Sequence, residues 1–129
     1  MSVEPEVPYA DVLIVDDDAA VRTSLVDVVR SEGYQVIEAA DGFAALELLD
    51  TTSIGVVLLD IRMPGLDGFQ MLRMHAGAPR VVVVSADHHD AMTAPEGTDV
   101  FMFLRKPVPP PELLAVIAQA LAEPNGPPA

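Results

Sequence analysis

Cysteine and tryptophan are both missing from this 129-residue chain, and lysine is nearly so. Without cysteine there is no disulfide, no thiol nucleophile and no thiolate-ligated zinc. Stability has to come from apolar packing, for which one domain of the modal ~100–150 residues is large enough. Positive charge is scarce as well: 7 Lys and Arg stand against 20 Asp and Glu, a formal charge of -13. So acidic a surface repels a phosphate backbone, which excludes nucleic-acid binding by charge attraction. No apolar run approaches the ~20 residues of a membrane span. The start, Met1-Ser2-Val3-Glu4-Pro5-Glu6, has neither the basic nor the apolar region of a leader. These absences predict a cytoplasmic protein with no membrane insertion. What is present is hydrophobic residues, half of the chain, which argues against global disorder despite the charge. Six of the seven basic residues are Arg, so Lys106 is the only lysine.

Three segments are expected. Residues 1–10 carry Pro5, Pro8 and two Glu without apolar periodicity and read as a flexible lead-in. Residues 123–129 are rich in Pro and Gly and read as a tail. Between them, 11–122 is the folded unit, in which short apolar runs alternate with amphipathic stretches. Strands are predicted at 12–15, 35–37, 56–59, 81–84 and 100–104. Four of these runs are almost continuously apolar, as in strands covered on both faces. Val21, Leu25, Val28 and Val29 form a helical stripe that Gly33 would stop. Further helices are predicted at 43–49 and 66–74, and a last one opens at Pro110-Pro111-Glu112 with Leu113, Ile117, Ala120 and Leu121 on one face. The alternation implies a doubly wound parallel α/β sheet. Pro95 and Gly97 leave the fourth helix, within 87–99, only about two turns, so it is expected to be short or irregular.

Ligands of open parallel sheets bind beyond the carboxyl ends of the strands, so the residues that end each strand carry the most information. Strand one ends in Asp16-Asp17-Asp18, strand three in Asp60, strand four in Ser85 and strand five in Lys106-Pro107. Carboxylates crowded together require a cation or a raised pKa. With oxygen donors and no Cys or His alongside, Mg²⁺ is favoured, with Mn²⁺ as a substitute. Acids, hydroxyl and ammonium together suit stabilisation of a transferring phosphoryl group, and one carboxylate could itself be the nucleophile. Plainer readings exist for each: Asp18 as a helix cap, Ser85 as a loop hydroxyl, Lys106 as a solvated strand-end charge. His75, His88 and His89 read as solvated or capping residues, and the methionines as packing.

These residues resemble the receiver domains of two-component response regulators. The resemblance rests on Ile14-Val15-Asp16-Asp17-Asp18, Glu32-Gly33-Tyr34-Gln35-Val36, Ala40-Asp41-Gly42, Leu58 to Gly68 with its Asp-x-x-Met-Pro-x-x-Asp-Gly pattern, Val84-Ser85-Ala86 and Arg105-Lys106-Pro107, all in register. It implies a flavodoxin/CheY-like (βα)5 fold with sheet order 2-1-3-4-5. It implies that Asp60 accepts a phosphoryl group from a histidine kinase or phosphotransfer protein. Asp17, Asp60 and the carbonyl of Arg62 would then hold Mg²⁺, with Asp16 orienting metal-bound water. Ser85 and Lys106 would contact the phosphoryl group, the Lys106-Pro107 bond would be cis, and Met63-Pro64-Gly65 would form a turn. Ser85 and Phe103 would act as the switch, and a downstream protein effector would read it.

Departures from the pattern matter too. Phe103 stands where the family often has Tyr, so it offers no hydroxyl. Asp60 to Ser85 is 25 residues and Ser85 to Lys106 is 21, both short for the family. Arg62 and Asp87, two residues beyond Asp60 and Ser85, could pair over the aspartyl phosphate and slow its hydrolysis. The expectation is thus a stand-alone receiver, monomeric or weakly dimeric, with self-catalysed phosphotransfer and autodephosphorylation but no metabolic activity. The alternative is a pseudo-receiver, an interaction module independent of phosphorylation. A small aspartate-nucleophile phosphatase ranks below both, because it needs an Asp where Arg62 stands.

Overall fold

The computed structural model describes residues 8–61, 70, 80–86 and 100–122. Five strands, β1 (Tyr9–Val15), β2 (Val36–Ala39), β3 (Ser53–Leu59), β4 (Arg80–Ser85) and β5 (Val100–Arg105), form one sheet in the order β2-β1-β3-β4-β5. Every neighbouring pair is parallel, which is the predicted topology. Three helices belong to the described residues: α1 (Ala19–Ser31), α2 (Gly42–Thr51) and α3 (Pro110–Ala122). None of them is long and apolar enough to cross a membrane. The predicted helix at 66–74, of which only the helical Gln70 is described, and the short fourth helix at 87–99 lie outside the described residues. So do Met63-Pro64-Gly65, most of the lead-in and the tail.

Side chains of the central strands alternate between two apolar layers, as the period-2 geometry of a strand demands. Leu13, Val15, Val57, Leu59, Val81 and Val83 face one layer, where α2 adds Ala45 and Leu49. Val12, Ile14, Val56, Leu58, Val82 and Val84 face the other, covered by Val26 and Val29 of α1 and by Leu113, Val116, Ile117 and Ala120 of α3. Covering both faces explains why these strands read as continuous apolar runs. β5 is equally apolar in sequence, yet among its residues only Leu104 is buried and Met102 is exposed. As one of the two edge strands, it has a hydrogen-bonded neighbour on one side only among the described residues.

Local signals set the helix ends. Asp18 is extended, and its Oδ1 accepts from the amides of Ala20 (3.0 Å) and Val21 (3.1 Å), satisfying donors at the start of α1. Asp41 does the same for α2 through the Ala44 amide at 2.8 Å. At the end of α1, Gly33 takes a φ of 91°, and its amide donates to the Arg30 carbonyl at 2.9 Å. A left-handed residue of this kind costs little only for glycine.

Strand starts differ from the prediction. β1 begins at Tyr9 and β3 at Ser53, with Tyr9 opposite Ser53 and Ala10 opposite Ile54. Tyr9 and Ala10 therefore belong to the sheet rather than to a lead-in, and Ala10 is buried. The pairing energy comes from a neighbouring strand, which an apolar-run criterion does not register.

Gly55 shows how closely β3 lies under its cover. A Cβ there would meet the backbone oxygen of Asp11 at 2.8 Å and the Leu121 side chain at 2.5 Å. Leu121 can rotate, but the β1 backbone cannot yield without disturbing the ladder. Gly55→Ala is expected to destabilise the fold by about 1–3 kcal/mol, as overpacking does, in urea unfolding. An unchanged urea midpoint would refute the close approach.

Candidate functional site at the carboxyl rim

Parallel pairing puts all five strand ends on one rim. Val15 lies opposite Leu59, and Ser85 opposite Arg105. The next residues, Asp16, Asp60 and Lys106, are thereby brought together with Ser85. Backbone hydrogen bonds secure these placements: the Asp60 amide donates to the Val15 carbonyl at 2.9 Å, and the Lys106 amide to the Ser85 carbonyl at 2.8 Å.

Carboxylate oxygens of Asp16, Asp17 and Asp60 all lie within 4.8 Å of one another. Asp16 and Asp60 are buried, whereas Asp17 is exposed. Lys106 reaches into this group, donating from Nζ to Asp16 Oδ2 at 2.7 Å and standing 3.5 Å from Asp60 Oδ2. The single lysine therefore neutralises part of a charge cluster that would otherwise repel itself. Ser85 is buried at the end of β4, and the Lys106–Pro107 peptide bond is cis. Phe103 is half-buried on β5 and packs against the layer that α2 covers. Arg62 and Asp87 lie outside the described residues, so the carbonyl ligand and the shielding pair do too.

Asp16 is held at every polar atom it has. Its amide donates to the Ala39 carbonyl at 3.2 Å. Its Oδ1 accepts from the Asp18 amide at 2.9 Å and its Oδ2 from Lys106. Its carbonyl accepts from Arg22 Nη1 at 2.7 Å, while Arg22 Nε donates to Glu38 at 2.8 Å. The sequence reading missed Arg22. Its only trace there is a basic residue one turn into the helix that follows an acidic strand end.

Burial alone would lower the Lys106 pKa, but the hydrogen bond to Asp16 and the charges of Asp60 and Asp16 outweigh it and raise the pKa above 10.5. A native pKa above the unfolded value stabilises the fold below that unfolded value, and the contribution disappears as pH climbs through the native one. Lysine-selective isotope labelling yields one side-chain signal, because there is one lysine. In the metal-free protein that signal is expected to titrate above pH 10.5, and lower in Asp16→Asn than in the wild type. A wild-type midpoint at or below 10.5 would contradict the pairing.

Comparison with known proteins agrees with this geometry. The family model for the response regulator receiver domain matches residues 12–118. The transcriptional regulatory protein FixJ of Bradyrhizobium diazoefficiens is 39% identical over 116 residues, covering 87% of this chain and 57% of that protein. The chain spans about half the length of the curated relatives it matches. Two solved structures superpose well: a response regulator receiver domain protein from Clostridium thermocellum (27% identity, TM-score 0.77, 87% of this chain and 94% of that one) and the chemotaxis protein CheY4 of Vibrio cholerae (26%, 0.78, 88% and 99%). Because the family match runs from within β1 to within α3, and so takes in every element that builds the rim, this chain belongs to the response regulator receiver domain family.

Proposed function

We propose that the chain is a phosphorylatable switch in two-component signalling, with Asp60 as the phosphoryl acceptor. The observation that carries this reading is the placement of Lys106 Nζ against both Asp16 and Asp60 within a three-carboxylate cluster. Three hard oxygen donors in that space fit Mg²⁺. Asp17 and Asp60 would hold it, with the Arg62 carbonyl as a further ligand and Asp16 orienting bound water. When bound, Mg²⁺ supplies positive charge that offsets the carboxylates and the phosphoryl oxygens.

The chain's own residues then divide the work. A carboxylate oxygen of Asp60 attacks the phosphorus of a phosphohistidine on a sensor kinase or phosphotransfer protein. A P–O bond forms as the P–N bond breaks, and the departing imidazole nitrogen keeps the electron pair and takes up a proton. Asp16, buried and bonded at both carboxylate oxygens, is a poorer nucleophile and a better anchor for Lys106. The Lys106 ammonium, already 3.5 Å from Asp60, is placed to pair with the arriving phosphoryl oxygens. The Ser85 hydroxyl would donate to the same group, and Phe103 on the neighbouring edge strand would repack in response. A protein effector would read the changed surface.

Incubation with Mg²⁺ and acetyl phosphate, followed by intact mass, tests the assignment. The wild type is expected to gain a single phosphoryl group, and Asp60→Asn none. Lys106→Ala is expected to be phosphorylated at least tenfold more slowly, about the loss of one charged stabilising contact. An adduct that persists in Asp60→Asn would overturn the site, and a wild type that never gains one would leave an interaction module.

A further inference from the structure

Asp17 poses a positioning problem. Among the three clustered carboxylates it is the exposed one, and its side chain has no hydrogen bond or ion pair among the described residues. Asp16 is fixed by four partners and Asp60 by its backbone and Lys106. The direction in which Asp17 points therefore depends on the backbone that carries it.

That backbone is the Asp16–Asp17 peptide, whose planarity ties the Asp16 carbonyl to the Asp17 amide. The Asp16 carbonyl is the oxygen that Arg22 Nη1 holds at 2.7 Å. Arg22 is itself aimed: its Nε donates to Glu38 Oε1 at 2.8 Å, and Glu38 sits on β2 opposite Ile14 of β1. A guanidinium is a rigid planar fork, so fixing one nitrogen on Glu38 fixes the direction of the others. Arg22 thus links α1, β2 and the loop after β1, and its side chain is only 17% exposed, less than half the exposure of Glu38 at 42%.

We infer that Arg22 is a positioning residue for the acidic site: aimed by Glu38, it sets the Asp16–Asp17 peptide plane and thereby the carboxylate of Asp17. The inference rests on the cation-binding reading of the cluster given above. The described contacts of Arg22 are to Glu38 and the Asp16 carbonyl, so its effect on the site passes through the loop.

Electrostatics and positioning predict opposite signs here. Removing a positive charge near a cation site should tighten Mg²⁺ binding, whereas releasing the loop should weaken it. Mg²⁺ titrations followed by amide NMR shifts are run on the wild type, Arg22→Ala, Arg22→Lys and Glu38→Gln. Both Arg22 variants are expected to bind Mg²⁺ roughly tenfold more weakly, the scale of lost outer-shell support. Lysine restores the charge without the fork, so it should not rescue. Glu38→Gln should have a smaller effect in the same direction, and none when added to Arg22→Ala. Unchanged or tighter Mg²⁺ binding in Arg22→Ala, or full rescue by lysine, would overturn the inference.

A second readout needs no metal. The Asp18 amide is held by Asp16 Oδ1, so its hydrogen exchange reports on loop order. It is expected to quicken in Arg22→Ala while the amides of Val28 and Val29, deeper in α1, keep their rates; unaltered Asp18 exchange would also overturn the inference. A wild type that shows no Mg²⁺ response defeats the cation-binding reading instead, and amide exchange then decides the role of Arg22.

Discussion

Three carboxylates within 4.8 Å of one another are the constraint around which this molecule is arranged. Two of them, Asp16 and Asp60, are buried, where an uncompensated charge is expensive. Lys106 supplies the compensation within the described residues, paired with Asp16 at 2.7 Å and close to Asp60 at 3.5 Å. For that pairing β5 must lie in the sheet beside β4, and β4 beside β3, because Lys106 and Asp60 are carried on strand ends two positions apart. The cluster therefore depends on the β1-β3-β4-β5 part of the order, which also creates it.

Rigidity and adaptability are distributed accordingly. β1, β3 and β4 are buried between two apolar layers and hold the Asp16, Asp60 and Ser85 positions firmly. β5, which leads to Lys106 and carries Phe103, is the half-exposed edge. Of the strands that carry the rim residues, β5 alone is an edge strand among the described residues. Asp17 occupies an intermediate position, exposed in its side chain but set by a backbone that Arg22 holds. The net charge of -13 opposes attraction to a phosphate backbone by charge alone.

Much of this was legible in the sequence because the signals are local. Valine-rich runs announced the central strands, Asp18 and Asp41 announced helix starts, and Asp16, Asp60, Ser85 and Lys106 followed strand ends in a way that parallel topology converts into one site. What escaped depends on residues far apart in the chain. Tyr9 and Ala10 are strand residues because Ser53 and Ile54 lie opposite them. Gly55 needs to be glycine because Asp11 and Leu121 approach it. Arg22 looks like a surface residue until β2 brings Glu38 beside it, 16 positions away. The exposure of Met102 follows from the edge position of β5, which composition does not encode.

If charge compensation by Lys106 is what the rim depends on, its removal should make the protein dependent on an added cation. Thermal unfolding of Lys106→Met and wild type, with and without Mg²⁺, measures this directly. The variant is predicted to melt below the wild type without Mg²⁺ and to gain more in melting temperature when Mg²⁺ is added. An Mg²⁺ response no larger in Lys106→Met than in the wild type would contradict the account.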